Sequence, residues 1–200
     1  MKLMIVCGSN RNAAQSTRIG RLIAGRIAAG SWRAETDFLS LAETELPLWD
    51  EGKWDGKEPW PSLWQPISER MKAVDGFVFV VPEWGGMVPA HVKNLFLLCG
   101  AGELAHKPGL IVSVSSGTGG AYPVAELRSS SYKNTFINWI PEHVIIRHAE
   151  EFEPGSGNAA SPGWLVDRID YSISLLAAYA EALKTVRENV MDLQRFKTGM

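Results

Sequence analysis

Residues 3–11 read LMIVCGSNR, an apolar run that passes directly into small and polar residues. An amphipathic stretch follows, and its apolar residues recur at the spacing of one helix face: Ile19, Leu22, Ile23 and Ile27. This order predicts a buried strand, a short loop and a helix that ends near Gly30. A strand, a loop and a helix in this order form the repeating unit of α/β folds.

The loop and the start of the helix carry hydrogen-bond donors within a few residues of each other. These are the hydroxyls of Ser9, Ser16 and Thr17, the guanidinium of Arg11 and the free backbone of Gly8. The positive end of the helix dipole adds to their attraction for an anion. The sequence therefore predicts a phosphate site. In the alternative interpretation, Ser16 and Thr17 only cap the helix and Arg11 pairs with a surface carboxylate.

The composition limits the class of protein. A chain of 200 residues, 46% of them hydrophobic, is long enough for one domain with a substantial core, which we expect to span residues 1–200. The net charge of -2 and the lack of a basic run argue against nucleic acid and membrane surfaces as partners. We therefore expect a small-molecule partner.

The cysteines, the histidines and the first residues argue against other kinds of site. Cys7 and Cys99 lack a C-x-x-C spacing, which disfavours a disulfide framework and a zinc site. No metal is expected, because the histidines share no ligand spacing: His91, His106, His143 and His148. The chain opens with no signal-peptide pattern, and no apolar segment reaches transmembrane length. We expect a cytoplasmic protein.

Strands and helices alternate along the rest of the chain. The predicted strands lie near residues 33–39, 77–81, 109–114 and 143–147, and the predicted helices near residues 64–74, 89–98, 124–132 and 165–183. Residues 77–81 are apolar without alternation, as expected of a central strand buried on both faces. With the first strand, this pattern predicts a doubly wound α/β fold with a five-stranded parallel sheet, flavodoxin-like, in the order 2-1-3-4-5.

The polar and glycine-rich segments follow strands one, three and four. They are residues 9–17, 82–87 and 115–120. In doubly wound sheets, ligands bind beyond the carboxyl ends of the strands, where the strand order reverses. We expect these three loops to meet at one rim and to form the binding site there.

Four ordered segments across roughly residues 3–135 resemble the NADPH-dependent FMN reductase family. The first loop is similar to the family's G-S-x-R-x-x-S pattern, and residues 46–50, LPLWD, resemble its L-P-x-aromatic-acidic segment. Residues 82–94, PEWGGMVPAHVKN, resemble its P-E-Y-N-x-x-x-P-x-x-L-K-N block, and Gly119-Gly120 matches its Gly-Gly loop. The chain departs from the family where Trp84 replaces tyrosine, Gly85 replaces asparagine, and two extra residues precede Ser16.

The resemblance implies an FMN site and an activity. FMN phosphate would bind Ser9, Arg11, Ser16 and Thr17, and its ribityl chain and ring would lie along Pro82, Glu83, Trp84, Gly85 and Gly86. The backbone amides of Glu83, Trp84 and Gly85 would face the polar edge of the ring. The pyrimidine edge would lie near Ser116, Gly117, Gly119 and Gly120. The implied enzyme passes hydride from NADPH through FMN to a small acceptor: a quinone, an azo compound, a metal oxyanion or free flavin. No catalytic side chain is expected, because hydride transfer to flavin needs no obligatory protein acid.

Relatives in this family are homodimers or homotetramers, so the resemblance also implies a homo-oligomer. Two other functions stay open from the sequence. One is a flavodoxin-like electron carrier, although the chain is nearly neutral and carries Arg11. The other is a non-catalytic binding protein in which Trp84 fills the place of the ring. The choice between NADPH and NADH is open as well, since the chain has no dinucleotide fingerprint.

Overall fold

Five parallel strands form one sheet in the order β2-β1-β3-β4-β5. The computed structural model describes residues 1–100 and 102–199. The strands are β1 (Lys2–Cys7), β2 (Glu35–Ser40), β3 (Gly76–Pro82), β4 (Pro108–Val114) and β5 (Asn138–Ile146). This order confirms the predicted flavodoxin-like fold and its strand order.

Helices cover both faces of the sheet. They are α1 (Gln15–Ala29), α2 (Gln65–Lys72), α3 (Ala90–Leu98), α4 (Ala121–Ser129) and α5 (Gly163–Asn189). The apolar faces of α1 and α5 share one core with one side of the strands, while α2, α3 and α4 pack on the other side. In the described part of the chain, no helix has the length and apolar character required to span a bilayer.

The two central strands are buried along their whole length. Every residue of β3 and β4 is buried, and β3 pairs with β1 on one side and with β4 on the other. The continuous apolar pattern of residues 77–81 correctly predicted this central position, because a strand covered on both faces has no side that favours polar residues.

Two elements start at least three residues earlier than predicted. Strand β5 begins at Asn138 instead of residue 143. It lies at the sheet edge, and Asn138 and Pro141 are exposed, so its first half lacks the continuous apolar pattern that would have predicted a strand. Its pairing with β4 shifts register between Gly109 and Ile111, which further obscured the pattern. Helix α4 begins at Ala121 instead of residue 124, directly after the glycine pair.

The tryptophan-rich segment between β2 and α2 packs against α3. Trp60 and Trp64 belong to the core, on a turn of π-helix (Trp60–Trp64), whereas Trp54 is 74% exposed and packs edge to face on Trp49. The buried Asn94 amide donates to the Pro47 carbonyl at 2.9 Å and accepts from the Trp49 amide at 2.8 Å. Asn94 therefore holds this segment on α3, which is a structural role.

Candidate functional site

A cleft of about 140 Å³ lies at the carboxyl ends of β1, β3 and β4. All three predicted loops contribute to it: Ser9, Arg11 and Ser16 from the first, Pro82, Glu83 and Trp84 from the second, and Ser116 from the third. Ala149 and Glu150, which follow β5, complete the lining. Of the other predicted residues, Thr17, Gly85, Gly86, Gly117, Gly119 and Gly120 lie outside this lining.

The first loop is held by its own backbone. The Gly8 amide donates to the Val80 carbonyl at 2.9 Å, so the expectation of a free Gly8 backbone was wrong. The buried Ser9 hydroxyl accepts a hydrogen bond from the Arg11 amide at 3.2 Å. These two bonds anchor the loop to the sheet and fold it back over the strand end.

The start of α1 presents donors that no described group of the protein uses. Ala14 occupies the N-cap position and has no side chain that can cap the helix. The hydroxyl oxygens of Ser16 and Thr17 are buried and have no hydrogen-bond partner in residues 1–100 and 102–199. Leaving such a group unpaired costs about 1 to 3 kcal/mol. The interpretation that these residues cap the helix was therefore wrong, and the chemistry of the free hydroxyls fits a phosphate ligand.

The exposed Arg11 has no partner either. Among the described residues, no carboxylate lies within ion-pair distance of its guanidinium, so the alternative of a surface pair for Arg11 was also wrong. Arg18, in contrast, is fully engaged: it donates to Gln15 Oε1 at 2.7 Å and to the carbonyls of Phe152 and Ala149. Arg18 braces α1 against the loop after β5, while Arg11 remains available to an anion.

The second loop turns back on itself through two glycines. Trp84 and Met87 exchange backbone hydrogen bonds of 3.1 and 3.0 Å, and Gly85 and Gly86 between them have φ values of +57° and +74°. Two successive positive φ values define a type I′ turn, which glycine adopts without strain. The replacement of asparagine by Gly85 therefore preserves a turn that both residue types favour.

Few backbone amides of this loop are free. The Glu83 amide donates to the Val114 carbonyl at 2.9 Å and the Trp84 amide to the Met87 carbonyl. We expected the amides of Glu83, Trp84 and Gly85 to face a flavin, and two of these three are used inside the protein. Gly85 keeps the only amide of the three without an acceptor among the described residues.

Glu83 joins the second loop to the third. Its Oε2 accepts the Gly120 amide at 2.7 Å and the Tyr122 amide at 3.3 Å, which caps the start of α4. A Cβ on Gly119 would lie 2.6 Å from Glu83 Oε1, and Gly120 has a φ of +103°. The glycine pair thus admits the Glu83 carboxylate, and this contact explains why α4 begins at Ala121.

Two residues that sequence reasoning missed also shape the rim. Arg147 donates from Nε to the carbonyls of Thr118 and Gly119 at 2.7 and 3.0 Å and supports the third loop from β5. Tyr122 is 66% exposed, and its ring lies beside Gly86. Arg147 directly follows the carboxyl end of β5, and this position could have indicated that it lies at the ligand-binding rim.

The histidines form no cluster at this rim. In residues 1–100 and 102–199, no three His, Cys, Asp or Glu side chains come close enough together to hold a metal ion. His91 Nε2 contacts Asn10 Nδ2 at 3.0 Å, beside the first loop. Burial, together with the nearby Arg128, lowers the pKa of His143, whose Nδ1 has no hydrogen-bond partner in the part of the chain that the structure describes.

Comparisons of the sequence with known proteins give two matches. The model of a family described as NADPH-dependent FMN reductase matches residues 1–151. An NADPH azoreductase of Bacillus sp. (strain OY1-2) is 24% identical over 192 residues, which cover 95% of this chain and 98% of that relative.

Solved structures share the fold. FerB of Paracoccus denitrificans, a flavoenzyme NAD(P)H:(acceptor) oxidoreductase, superposes with a TM-score of 0.65 at 18% identity, covering 90% of this chain and 97% of its own. RosB, solved with 8-demethyl-8-formylriboflavin-5'-phosphate bound, gives a TM-score of 0.71 at 13% identity, covering 98% of this chain and 84% of its own.

Proposed function

Because the chain belongs to the NADPH-dependent FMN reductase family, it is an NAD(P)H-dependent oxidoreductase that uses FMN, and we propose that its acceptor is a quinone or an azo compound. When bound, FMN supplies the redox chemistry: it takes a hydride from NAD(P)H and passes two electrons to the acceptor. For a quinone, one NAD(P)H and one proton yield one hydroquinone and one NAD(P)⁺.

The unpaired donors of the first loop carry the assignment of the cofactor site. Among the described residues, the buried Ser16 hydroxyl has no hydrogen-bond partner and the Arg11 guanidinium has no carboxylate, and both residues line one cleft. A phosphate that accepts hydrogen bonds from both groups would remove the free-energy cost of the unpaired Ser16 hydroxyl and neutralise the charge of Arg11. We therefore assign the FMN phosphate to Ser9, Arg11 and Ser16.

The other two loops would position the ring. Trp84 is half-buried and lines the cleft beside Pro82, which places an apolar surface where a planar ring needs one. Glu83 joins the second loop to the third, because its carboxylate accepts the amides of Gly120 and Tyr122. The role of the protein is then to bind, to orient and to exclude water, while the redox step needs no protein acid.

Two observations support the choice of acceptor. The relative with the name azoreductase aligns with almost the whole chain, and not only with the part that holds the phosphate loop. Trp84 lines the cleft and the exposed Tyr122 ring lies beside Gly86, and this aromatic surface suits a flat acceptor better than a compact oxyanion. Free flavin and metal oxyanions are the competing acceptors in the assay below.

The assembly is part of the proposal. We propose a cytoplasmic homodimer or homotetramer, supported by the resemblance of the segments quoted above to a family of oligomers. The exposed Leu48 and Trp54 on the segment that covers α3 offer apolar contact area. Light scattering on eluting protein measures the subunit number, and a monomeric mass contradicts this part of the proposal.

The experiment that tests the function is an FMN titration of the apo-protein, followed by anaerobic addition of NADPH and then of one acceptor at a time. Tight binding of FMN, weaker binding of riboflavin and rapid bleaching of the flavin absorbance are expected. Bleaching without steady turnover on any acceptor would indicate an electron carrier. Absence of FMN binding would indicate a binding protein of another kind. Faster reoxidation by an oxyanion or by free flavin than by quinones and azo dyes refutes the proposed acceptor.

A further inference from the structure

Helix α5 carries aromatic side chains on the face that points away from the sheet. Its buried residues lie on the opposite side: Leu165, Ile169, Ser172, Ile173, Leu176, Ala177 and Ala180. On the outer side, Trp164 is 68% exposed, Tyr171 is 53% exposed and Tyr179 is 37% exposed. The outer face of a surface helix is normally charged or polar. An outer face with three exposed rings therefore indicates a surface that another molecule covers.

The exposed rings belong to a stripe with regular spacing. Residues 164, 168, 171, 175, 178 and 182 follow one another in steps of four and three, which is the spacing of a contact line between two helices. We define these six residues as the α5 stripe: Trp164, Arg168, Tyr171, Leu175, Ala178 and Ala182. All of them are exposed except the half-buried Leu175. The stripe extends over about 27 Å of helix, at about 1.5 Å per residue.

The size of the side chains falls along the α5 stripe. Its first half carries Trp164 and Tyr171, and its second half ends with Ala178 and Ala182. In a parallel pair of such helices, large rings would meet each other and the alanines would face a gap, which costs packing contacts. In an antiparallel pair, the large end of each helix meets the small end of the other. The stripe therefore complements a second copy of itself in the antiparallel direction, which is the geometry of a two-fold dimer.

We propose that α5 packs antiparallel against α5 of a second copy of this chain, and that the α5 stripe is the contact. The two-fold axis then passes between Tyr171 and Leu175. Trp164 packs on Ala182 of the partner subunit. This inference names one contact surface of the proposed assembly and rests on that part of the proposed function, but it requires no bound cofactor.

The exposed aromatic area suits a stable dimer. An aromatic side chain offers about 150 to 250 Å² of surface, so the exposed parts of Trp164, Tyr171 and Tyr179 together amount to about 300 Å². A stable interface buries about 800 Å² on each partner. The three rings therefore supply more than a third of the required area before any neighbouring residue is counted.

Arg168 is the one charged residue of the α5 stripe, and its charge is already paired. Its guanidinium lies 2.8 Å from the Glu142 carboxylate and 5.9 Å from the centre of the Tyr171 ring. A paired charge costs less to bury than a free one, and the methylene stem of arginine adds apolar contact area. Arg168 is therefore compatible with a contact against Ala178 of the partner subunit.

A pair of introduced cysteines tests the direction of packing. Arg168→Cys combined with Ala178→Cys places two thiols opposite each other across an antiparallel pair, so mild oxidation should give a covalent dimer on a non-reducing gel. Each single variant should not cross-link, because its thiol lies about 15 Å along the helix from its copy in the partner. The native Cys7 and Cys99 are buried and do not interfere.

A charged substitution measures the contribution of the stripe. Tyr171→Lys should raise the dissociation constant of the dimer at least about 30-fold, because an aromatic contact near the centre is lost twice in a symmetric pair. Sedimentation equilibrium of the full chain measures this constant. Tyr132→Lys is the matched control, since Tyr132 is also 53% exposed but lies between α4 and β5. The control should keep the dissociation constant of the wild type.

The outcomes separate this inference from the rest of the proposed function. A monomeric wild type refutes both this inference and the proposed assembly. An oligomer refutes the α5 contact alone if the double cysteine variant fails to cross-link, if either single variant cross-links, or if Tyr132→Lys weakens it as much as Tyr171→Lys. If Tyr171→Lys does not fold, the cysteine pair still decides. Both lysine variants leave the cleft intact, so their Kd for FMN should equal that of the wild type whichever result the assembly gives.

Discussion

The carboxylate of Glu83 is the contact on which the spacing of two loops depends. Glu83→Ala removes an acceptor that holds the amides of Gly120 at 2.7 Å and Tyr122 at 3.3 Å. A hydrogen bond to a charged group contributes about 1.5 to 3 kcal/mol, and the longer bond adds little. Because the side chain is half-buried, we expect Glu83→Ala to lower the free energy of unfolding by about 2 kcal/mol.

The stability of Glu83→Gln and the FMN affinity of Glu83→Ala give two further measures of this contact. Glu83→Gln keeps one neutral acceptor, so its free energy of unfolding should fall by only about 1 kcal/mol. In Glu83→Ala the third loop is no longer held in place before FMN binds. Part of the binding free energy of FMN is then used to order the third loop, so the Kd for FMN rises by up to about 30-fold.

Urea denaturation of the apo-protein measures the first effect, and titration of FMN fluorescence measures the second. Glu150→Ala is the matched control, because Glu150 lines the same cleft and is exposed, and it makes no side-chain hydrogen bond to the described residues. The reasoning is refuted if Glu83→Ala is as stable as the wild type and binds FMN equally well. It is refuted as well if Glu150→Ala produces the same two changes.

Three further predictions concern the first loop, the packing of α1 on the sheet and a lysine at the amino ends of the strands. Arg11→Ala should weaken FMN binding by about 1.5 to 3 kcal/mol but leave riboflavin binding unchanged, as fluorescence titrations of both ligands would show. Gly20→Ala places a Cβ 2.4 Å from Cys7 Sγ and should lower the free energy of unfolding by about 1 to 3 kcal/mol in urea, whereas Gly25→Ala on the same helix meets open space and should not. Burial lowers the pKa of Lys107 to about 8, against 10.5 without burial. The unfolded chain therefore binds more protons between these values, so the free energy of unfolding should rise from pH 8 to 10.5, by up to about 3 kcal/mol, and Lys107→Met should lack this rise.

The periodicity of the sequence predicted the elements that are buried on both faces or along one clear stripe. The central strand and α1 belong to this group. All residues of β3 are buried, and the buried residues of α1 recur at helical spacing, so each burial pattern is visible in the local sequence. The start of β5 escaped prediction because an edge strand exposes residues irregularly, and its bulge breaks the alternation. The start of α4 escaped because a carboxylate 37 positions away in the chain caps it.

Some features of the candidate site could likewise be predicted from the sequence and others could not. The donors of the first loop could be predicted because they lie within a few residues of each other. The meeting of the three loops at one rim could be predicted because the carboxyl ends of parallel strands lie at the same end of the sheet. The pairing of Glu83 with Gly120 could not be predicted, since a residue type and its position do not reveal which distant amide it accepts. The resemblance to a flavin family correctly indicated the cofactor, but it assigned the Glu83 and Trp84 amides to a ring although both are used within the protein.

The sequence by itself determined the class of fold, the order of the strands and the rim at which the three polar loops meet, because these depend on the local hydrophobic period and on general rules of chain connection. Only the tertiary structure decided which donors remain unpaired and which of them line the cleft. Ser16 and Thr17 are neighbours with similar hydroxyls, yet only Ser16 lines the cleft. The direction of a side chain is set by how its helix packs on the sheet, and that packing is a property of the whole fold.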